Sequence, residues 1–213
     1  MKVLALIAHK GGVSKTTLAI HLAAAAAEAG YETVLLDLDR QGSASGWYRN
    51  RGDKAPEVLG PLEAPETAKV LAEVKRLGAE VVVIDTPPHG GPEARQPMLA
   101  ADFVLVPCKV SWFDIDAVAM TASLCRETHR PASVVWVQTI HNSRKYEAAT
   151  EAVQAGIAVC PIRIGRREVF PDAIDAGLTV GEMEPGGKSA SEIAALWAYA
   201  AEHLGIPARK HPA

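Results

Sequence analysis

The chain has 213 residues, enough for one well-buried domain, and its 48% hydrophobic content is typical of a globular protein. A net charge of −3 excludes attraction of the whole surface to nucleic acid, so such a function requires a local basic patch. The three cysteines, Cys108, Cys125 and Cys160, lack any C-x-x-C spacing. They therefore predict buried thiols in a reducing compartment rather than a disulfide framework or a metal site.

Two apolar segments near the N-terminus do not indicate targeting or membrane insertion. The run at 1–10 is followed by a charged loop without a small-residue cleavage site, which excludes a typical signal peptide. The alanine-rich segment 18–30 contains His21 and Glu28 and is too short and too polar to span a bilayer. We therefore expect a cytoplasmic protein with no stable membrane association.

Short apolar runs alternate with helical periodicity along the whole chain. The predicted strands are 2–8, 33–39, 80–88 (with its turn), 102–107, 133–139 and 159–164. The predicted helices are 15–29, 43–49, 67–79, 114–129, 146–155, 166–176 and 189–204. The segment 53–66, punctuated by proline and glycine, is predicted to be a surface connection.

Nearly continuous apolar strands separated by helices are typical of a parallel sheet with both faces covered. We therefore predict a single α/β domain over 1–213, a doubly wound, mostly parallel sheet of the P-loop NTPase type. Such sheets bind ligands at the carboxyl ends of their strands. The polar sequences "HKGGVSKTT", "DLD" and "IDTPP" each lie at the carboxyl end of a predicted strand or directly after it.

The first of these sequences departs from the usual phosphate-binding pattern G-x-x-x-x-G-K-[ST], which requires glycine at positions 9 and 14. His9 and Ser14 occupy those positions, and an additional lysine, Lys10, precedes the glycine pair. The departure leaves two questions: whether this is still a nucleotide site, and what the extra lysine does.

The remaining residues still suit a magnesium–nucleotide site. Gly11 and Gly12 allow the backbone amides to converge at the positive end of the following helix. Lys15 is placed to reach the terminal phosphates, and the Thr16 hydroxyl to reach Mg²⁺. Asp85, at the end of the apolar strand "VVVID", is placed to hold the water shell of the metal.

The sequences "KGGVSKTT", "LLDLDRQGSASGW" and "VVIDTPP" together resemble the deviant Walker-A ATPases, and among these the short ParA-type partition ATPases. The resemblance covers essentially the whole chain, including "VPCKVSWFDIDAV" at 106–118. It implies an ATP hydrolase of weak intrinsic turnover that requires Mg²⁺ and is stimulated by partners. It also implies a homodimer in the ATP state, binding to non-specific DNA of the nucleoid, and a ParB-like adaptor protein.

The resemblance also assigns roles to residues of the site. Lys10 is expected to reach across a nucleotide sandwich dimer to the phosphates bound by the partner subunit. The resemblance also implies that Asp39 orients the attacking water. Asp37 and Asp39 flank Leu38 at the end of a predicted strand and are expected to point to opposite sides, so Asp37 is expected to be structural or to support the metal site. The predicted catalytic residues are Lys10, Lys15 and Asp39, and the predicted metal site consists of Thr16, Asp39 and Asp85. The predicted nucleotide-binding residues are Lys10, Gly11, Gly12, Val13, Ser14, Lys15, Thr16, Thr17 and Pro107.

Ser14 departs from the glycine that this family has at the position. Its side chain either crowds a close backbone approach and slows turnover, or supplies an additional hydroxyl contact. The crowding interpretation predicts that Ser14→Gly raises ATP affinity or turnover.

The nucleotide base and the DNA contacts are less clearly marked. No guanine-reading N-K-x-D pattern is present, since Asn142 is followed by other residues, so ATP is the expected nucleotide. The loop after Pro107 and the region 163–170 are the candidate neighbours of the adenine. Basic residues concentrate late in the chain, at 144–145, at Arg163, Arg166 and Arg167, and in the tail 208–213, and the three arginines are the predicted DNA contacts.

The predicted function is therefore a cargo-positioning ATPase, whose cargo is a plasmid, a chromosome region or a large protein assembly. One alternative is a P-loop metabolic ligase of the dethiobiotin-synthase type, which would require substrate-binding insertions. The other is a MinD-like membrane-cycling ATPase, which would require an amphipathic C-terminal helix.

Overall fold

The computed structural model describes residues 1–52, 54–88, 92–140, 145–207 and 209. Apolar, largely β-branched runs form the strands β1 (Lys2–Leu6), β2 (Thr33–Asp37), β3 (Glu57–Leu59), β4 (Val81–Asp85), β5 (Phe103–Cys108), β6 (Ala132–Thr139) and β7 (Ala158–Gly165). They pair in parallel throughout, in the order β3-β2-β4-β1-β5-β6-β7. The doubly wound parallel sheet predicted from the sequence is thus confirmed.

Helices connect the strands and cover both faces of the sheet. They are α1 (Lys15–Glu28), α2 (Ser43–Arg51), α3 (Thr67–Arg76), α4 (Pro92–Ala100), α5 (Trp112–Glu127), α6 (Lys145–Gln154), α7 (Val169–Asp175), α8 (Val180–Met183) and α9 (Lys188–Leu204), with a 3₁₀ turn at Ala64–Glu66. None of the helices in the described part of the chain has the length and apolarity needed to cross a bilayer.

Alternation along the strands divides the core into two layers. On one face, Leu4 and Leu6 of β1 pack with Leu18 of α1 and Leu196 of α9. The opposite face, to which the intervening residues of β1 point, packs against α3, α4, α5 and α6. All three cysteines are buried, as predicted, and burial raises the pKa of both Cys125 and Cys160 to about 11.

The prediction for 53–66 was wrong in one respect. Residues Glu57–Leu59 form the edge strand β3, paired with β2 from Val34↔Glu57 to Leu36↔Leu59. A strand of three residues between Pro56 and Pro61 carries no periodicity of its own, and only its pairing with β2 defines it.

Two helices were also absent from the prediction, α4 and the short α8. The start of α8 has a readable signal, because Thr179 and Glu182 form a capping box. The predicted basic residue Arg144, the base-selectivity position Asn142 and the tail 208–213 apart from Arg209 lie outside the described residues.

The register of three neighbouring strands places the polar residues of the site side by side. Leu6 of β1 stands opposite Asp85 of β4, which in turn stands opposite Asp37 of β2. The chain leaves β1 at this level and turns into α1, at the point where successive connections diverge to the two sides of the sheet.

Candidate functional site

The loop between β1 and α1 has the backbone of an anion-binding turn. Gly12 has φ 72°, and Ser14 also adopts the left-handed conformation, with φ 61° and ψ 28°, immediately before the first helical residue. The Ser14 carbonyl already accepts the first helical hydrogen bond, from Leu18. The exposed amides of such a turn at a helix N-terminus form a site for phosphate oxygens.

Lys15 is the first residue of α1, and only 7% of its surface is exposed. Burial lowers the pKa of its ammonium group, and the charges of Asp85 and Asp39 oppose this shift. A cation held between a phosphate-type loop and two carboxylates suits neutralisation of a transferred phosphoryl group.

Asp85 ends β4 with no exposed surface, and neither of its carboxylate oxygens has a hydrogen-bond partner among the described residues. Burial raises the pKa of Asp85 to about 7, and the neighbouring Thr16 hydroxyl offsets part of this rise. The hydroxyl is not placed to form a hydrogen bond with either carboxylate oxygen. Asp37 raises the pKa further, Lys15 lowers it, and Asp39 raises it. Buried carboxylates without partners are rare in folded proteins, so this one fits a role in binding a metal ion or another group with positive charge.

Asp37, equally buried, is fully engaged. One carboxylate oxygen accepts hydrogen bonds from the Ser45 amide and hydroxyl, both at 2.9 Å, and the other accepts from the Asp39 amide at 3.1 Å. These bonds fix the start of α2 to the end of β2, and they agree with the structural role expected for Asp37.

Asp39 lies beyond the end of β2 and is half-buried. Its side chain accepts a hydrogen bond from the Gln41 amide at 3.0 Å, closing a tight turn before α2. Asp37 and Asp39 face different surroundings because the strand ends between them, whereas residues two apart within a regular strand share a face.

Lys10 is exposed at the start of the loop, as an inter-subunit role requires. The preceding His9 contacts the Thr121 hydroxyl of α5 through Nδ1 at 3.1 Å. His9 and Lys10 also border a small cavity whose wall includes Pro107, which is buried within β5.

A larger cavity of about 620 Å³ adjoins the other side of the loop. Its walls combine the loop and α1 with residues from β6, β7 and α7. The lining residues include Ser14, Thr17, Leu18, Lys109, Gln138, Ile164, Arg166 and Phe170. The region 163–170 and the loop after Pro107, through Lys109, therefore meet at one cavity, whereas Pro107 itself does not line it.

The three predicted DNA-contacting arginines differ in their surroundings. Arg163 is exposed, with its guanidinium over the Tyr146 ring at 5.4 Å, and Arg166 is exposed at the rim of the larger cavity. Arg167 instead forms a two-pronged ion pair with Glu192 of α9, at 2.7 and 2.8 Å.

Residues 4–180 match the CobQ/CobB/MinD/ParA nucleotide binding domain. The chain belongs to this family. A relative from Gloeobacter kilaueensis, named maintenance of carboxysome distribution protein A, is 33% identical over 215 residues, which cover 98% of this chain and 96% of the relative. The resemblance read from the motifs is thereby confirmed.

Two solved structures show that the fold of this ParA/MinD-family protein is shared. An McdA–ATP complex from Cyanothece matches with a TM-score of 0.72 at 16% identity and covers 97% of each chain. The septum site-determining protein MinD from Pyrococcus horikoshii, complexed with Mg-ADP, matches with a TM-score of 0.76 at 15% identity over 96% of this chain and 97% of its own.

Three residues important to this family member's site were not predicted. Ser45 binds Asp37, Gln138 reaches the phosphate loop from β6, and His21 joins α1 to α8. The His21 ring contacts the Thr17 carbonyl oxygen through Nδ1 and accepts from the Val180 amide at Nε2, and burial lowers its pKa to about 4. Gln138 carried a usable signal, a polar residue at the carboxyl end of an apolar strand, whereas His21 inside an alanine-rich helix carried none.

Proposed function

We propose that this protein is an ATP hydrolase that dimerises on ATP, binds non-specific DNA in that state, and positions a cargo through a ParB-like adaptor. The observation that carries the proposal is the unpartnered Asp85 carboxylate beside Lys15 and the phosphate-type loop, in a chain of the ParA/MinD family.

The residues present fit a magnesium ion held jointly with phosphates. Mg²⁺ prefers hard oxygen ligands and is bound by one or two protein groups together with water and phosphate oxygens. Thr16 and Asp85 would supply the protein ligands, with Asp39 farther from the ion. The described residues contain no group of three or more His, Cys, Asp or Glu side chains that could hold a metal without phosphate. The bound ion would neutralise charge on the β- and γ-phosphates.

ATP hydrolysis then requires the chain to position water and to stabilise charge. The loop amides from Gly11 to Thr17 would hold the phosphates, and Lys15 would neutralise the charge that develops during transfer. Asp39, half-buried at the end of β2, would accept a hydrogen bond from the attacking water, which phosphoryl transfer needs more than a strong base. We expect slow intrinsic turnover that the adaptor stimulates.

Dimerisation would bring Lys10 to the phosphates of the partner subunit. The side chain is exposed at the start of the loop, and a flexible lysine suits a phosphate that its own loop does not hold. We expect Lys10→Ala to abolish ATP-dependent dimerisation, measured by analytical ultracentrifugation. Lys69→Ala, which removes an exposed lysine from α3, is the matched control, and a Lys10→Ala protein that still dimerises would exclude the role.

A dimer would double the basic surface formed by Arg163, Arg166 and Arg167, and DNA affinity rises with the number of phosphates neutralised. The exposed Arg163 and Arg166 should contribute most, because Glu192 already engages Arg167. The relative named for carboxysome distribution supports a large protein assembly as cargo.

The deciding experiment is retention of the purified protein on non-specific duplex DNA with Mg-ATP and with Mg-ADP, at low and moderate salt. We expect salt-sensitive retention with ATP alone, and its loss in Arg163→Glu/Arg166→Glu. Lys69→Glu/Lys75→Glu on α3 has the same change in net charge and should retain binding. Hydrolysis of ATP without DNA retention would instead favour a metabolic ligase or a membrane cycle.

A further inference from the structure

Two non-glycine residues with left-handed backbone meet at the phosphate loop. Ser14 has φ 61° and Gln138, at the end of β6, has φ 52°. Residues with a Cβ adopt this conformation at a cost that glycine avoids. Two such positions in direct contact, 124 residues apart in sequence, indicate that the contact itself is useful to the protein.

The contact is a pair of hydrogen bonds from one side-chain amide. Gln138 Nε2 donates to the Ser14 hydroxyl oxygen at 2.9 Å and to the Gly12 carbonyl oxygen at 3.3 Å. A carbonyl oxygen such as that of Gly12 cannot bind a phosphate, and a hydroxyl that accepts through its oxygen still carries an O–H group that can donate. The Gln138 side-chain amide therefore binds oxygen atoms of the loop and leaves the backbone N–H groups of the loop available for a phosphate.

The position of Gln138 follows from an irregularity in the sheet. The register between β6 and β7 shifts between Trp136 and Thr139, and the left-handed residue lies inside that shift. Bulges of this kind redirect a side chain that a regular strand would point elsewhere. Here the redirected side chain lies between the loop and the cavity of about 620 Å³.

We propose that Ser14 and Gln138 act as one positioning pair that holds the phosphate loop in its nucleotide-binding shape. Ser14, which departs from the family glycine, supplies an acceptor that glycine lacks, and Gln138 supplies the donor. The inference rests on nucleotide binding at this loop and adds a residue from β6 to the site. It reverses the sign expected from crowding, since Ser14→Gly then removes a useful contact.

The test is a double-mutant cycle on the dissociation constant of a fluorescent ATP analogue with Mg²⁺, using Ser14→Gly, Gln138→Ala and the double variant. We expect each single change to weaken binding by about three- to tenfold, the loss of one or two hydrogen bonds to the loop. In the Gln138→Ala background, Ser14→Gly should cause no further loss or should tighten binding, because only the backbone cost of Ser14 remains.

The steady-state kinetics distinguish positioning from general structural damage. The KM for ATP should rise in the single variants while kcat at saturating ATP changes by less than about twofold. Gln138→Glu keeps the side-chain shape and removes the donor, so it should weaken binding at least as much as Gln138→Ala. Gln154→Ala, at an exposed glutamine of α6, is the control. Tighter binding in Ser14→Gly alone, additive effects, or unchanged binding in Gln138→Ala would overturn the pair.

A second measurement does not depend on ATP. Amide hydrogen exchange of residues 10–17 in the nucleotide-free protein should accelerate in Gln138→Ala and in Gln138→Glu, but not in the control. If the wild-type protein binds no nucleotide, the proposed function fails, and this exchange still tests whether the pair orders the loop. Unchanged exchange in both variants would contradict the inference.

Discussion

Asp37 and Asp85 are the same residue type, lie opposite each other on adjacent parallel strands and have no exposed surface, yet their surroundings differ completely. Asp37 accepts three hydrogen bonds from Ser45 and Asp39, whereas Asp85 accepts none from the described residues. A carboxylate whose two oxygens both accept hydrogen bonds stabilises the fold. A carboxylate left without donors in the interior costs stability, and it is retained where a ligand completes it.

The largest expected effect concerns Asp85. Its folded-state pKa of about 7 lies above the ordinary value of 3.8, so the folded protein holds a proton that the unfolded chain has released. The contribution of Asp85 to the free energy of unfolding therefore falls by roughly 4 kcal/mol as the pH rises from about 4 to 7. Asp85→Asn removes this loss, and we expect its stability relative to wild type to grow by about 3 kcal/mol between pH 5 and pH 8 in urea unfolding.

Measuring Asp85→Asn relative to wild type removes the contribution of His21 to the free energy of unfolding, which has the opposite pH dependence. The buried His21 has a pKa of about 4 instead of 6.5, so its contribution to stability rises with pH between these values. His21 is present in both proteins and cancels in their difference. Mg-ATP should flatten the dependence in wild type. If the difference in the free energy of unfolding between Asp85→Asn and wild type stays constant with pH, Asp85 ionises normally. Asp85 would then not be the carboxylate that lacks hydrogen-bond donors.

The next effect tests the satisfied carboxylate. Asp37→Ala leaves the Ser45 amide and hydroxyl and the Asp39 amide without their acceptor, and we expect a loss of about 2–3 kcal/mol in the free energy of unfolding. Ser45→Ala, which removes only the hydroxyl bond, should cost about 1 kcal/mol. If Asp37→Ala and Ser45→Ala lower the free energy of unfolding by the same small amount, the hydrogen bonds to Asp37 do not distinguish it from Asp85.

Part of this contrast was accessible from the sequence. The order of strands and the P-loop residues predicted that Lys15, Thr16 and Asp85 meet at one edge of the sheet, because parallel strands share their carboxyl ends. The partners of Asp37 and of Ser14 were not accessible, since Ser45 and Gln138 reach them through tertiary packing. Periodicity likewise could not reveal β3, whose three residues become a strand only beside β2.

Hydrolysis and nucleotide binding should respond differently to loss of the Asp39 carboxylate. Asp39→Ala should leave ATP affinity unchanged and lower the hydrolysis rate by about a hundredfold or more, because the attacking water loses its orienting group. The same change also removes the acceptor for the Gln41 amide. Asp39→Asn keeps a side-chain oxygen for that amide, so a similar loss of turnover in both variants would assign the effect to the water. Normal turnover in Asp39→Ala would refute the role.

The smallest effect extends the comparison to the arginines of β7 and its following loop. Burial raises the pKa of Glu192, but the hydrogen bonds from Arg167 and Gly165 lower it more, so the pair is favourable in the folded protein. Because both side chains remain partly exposed, we expect Arg167→Ala to cost only about 1 kcal/mol in urea unfolding. Arg166→Ala should leave stability unchanged and weaken ATP-dependent DNA retention more than Arg167→Ala does. The reverse order would mean that Glu192 releases Arg167 when DNA binds, and that pairing in the free protein does not identify a structural residue at this surface.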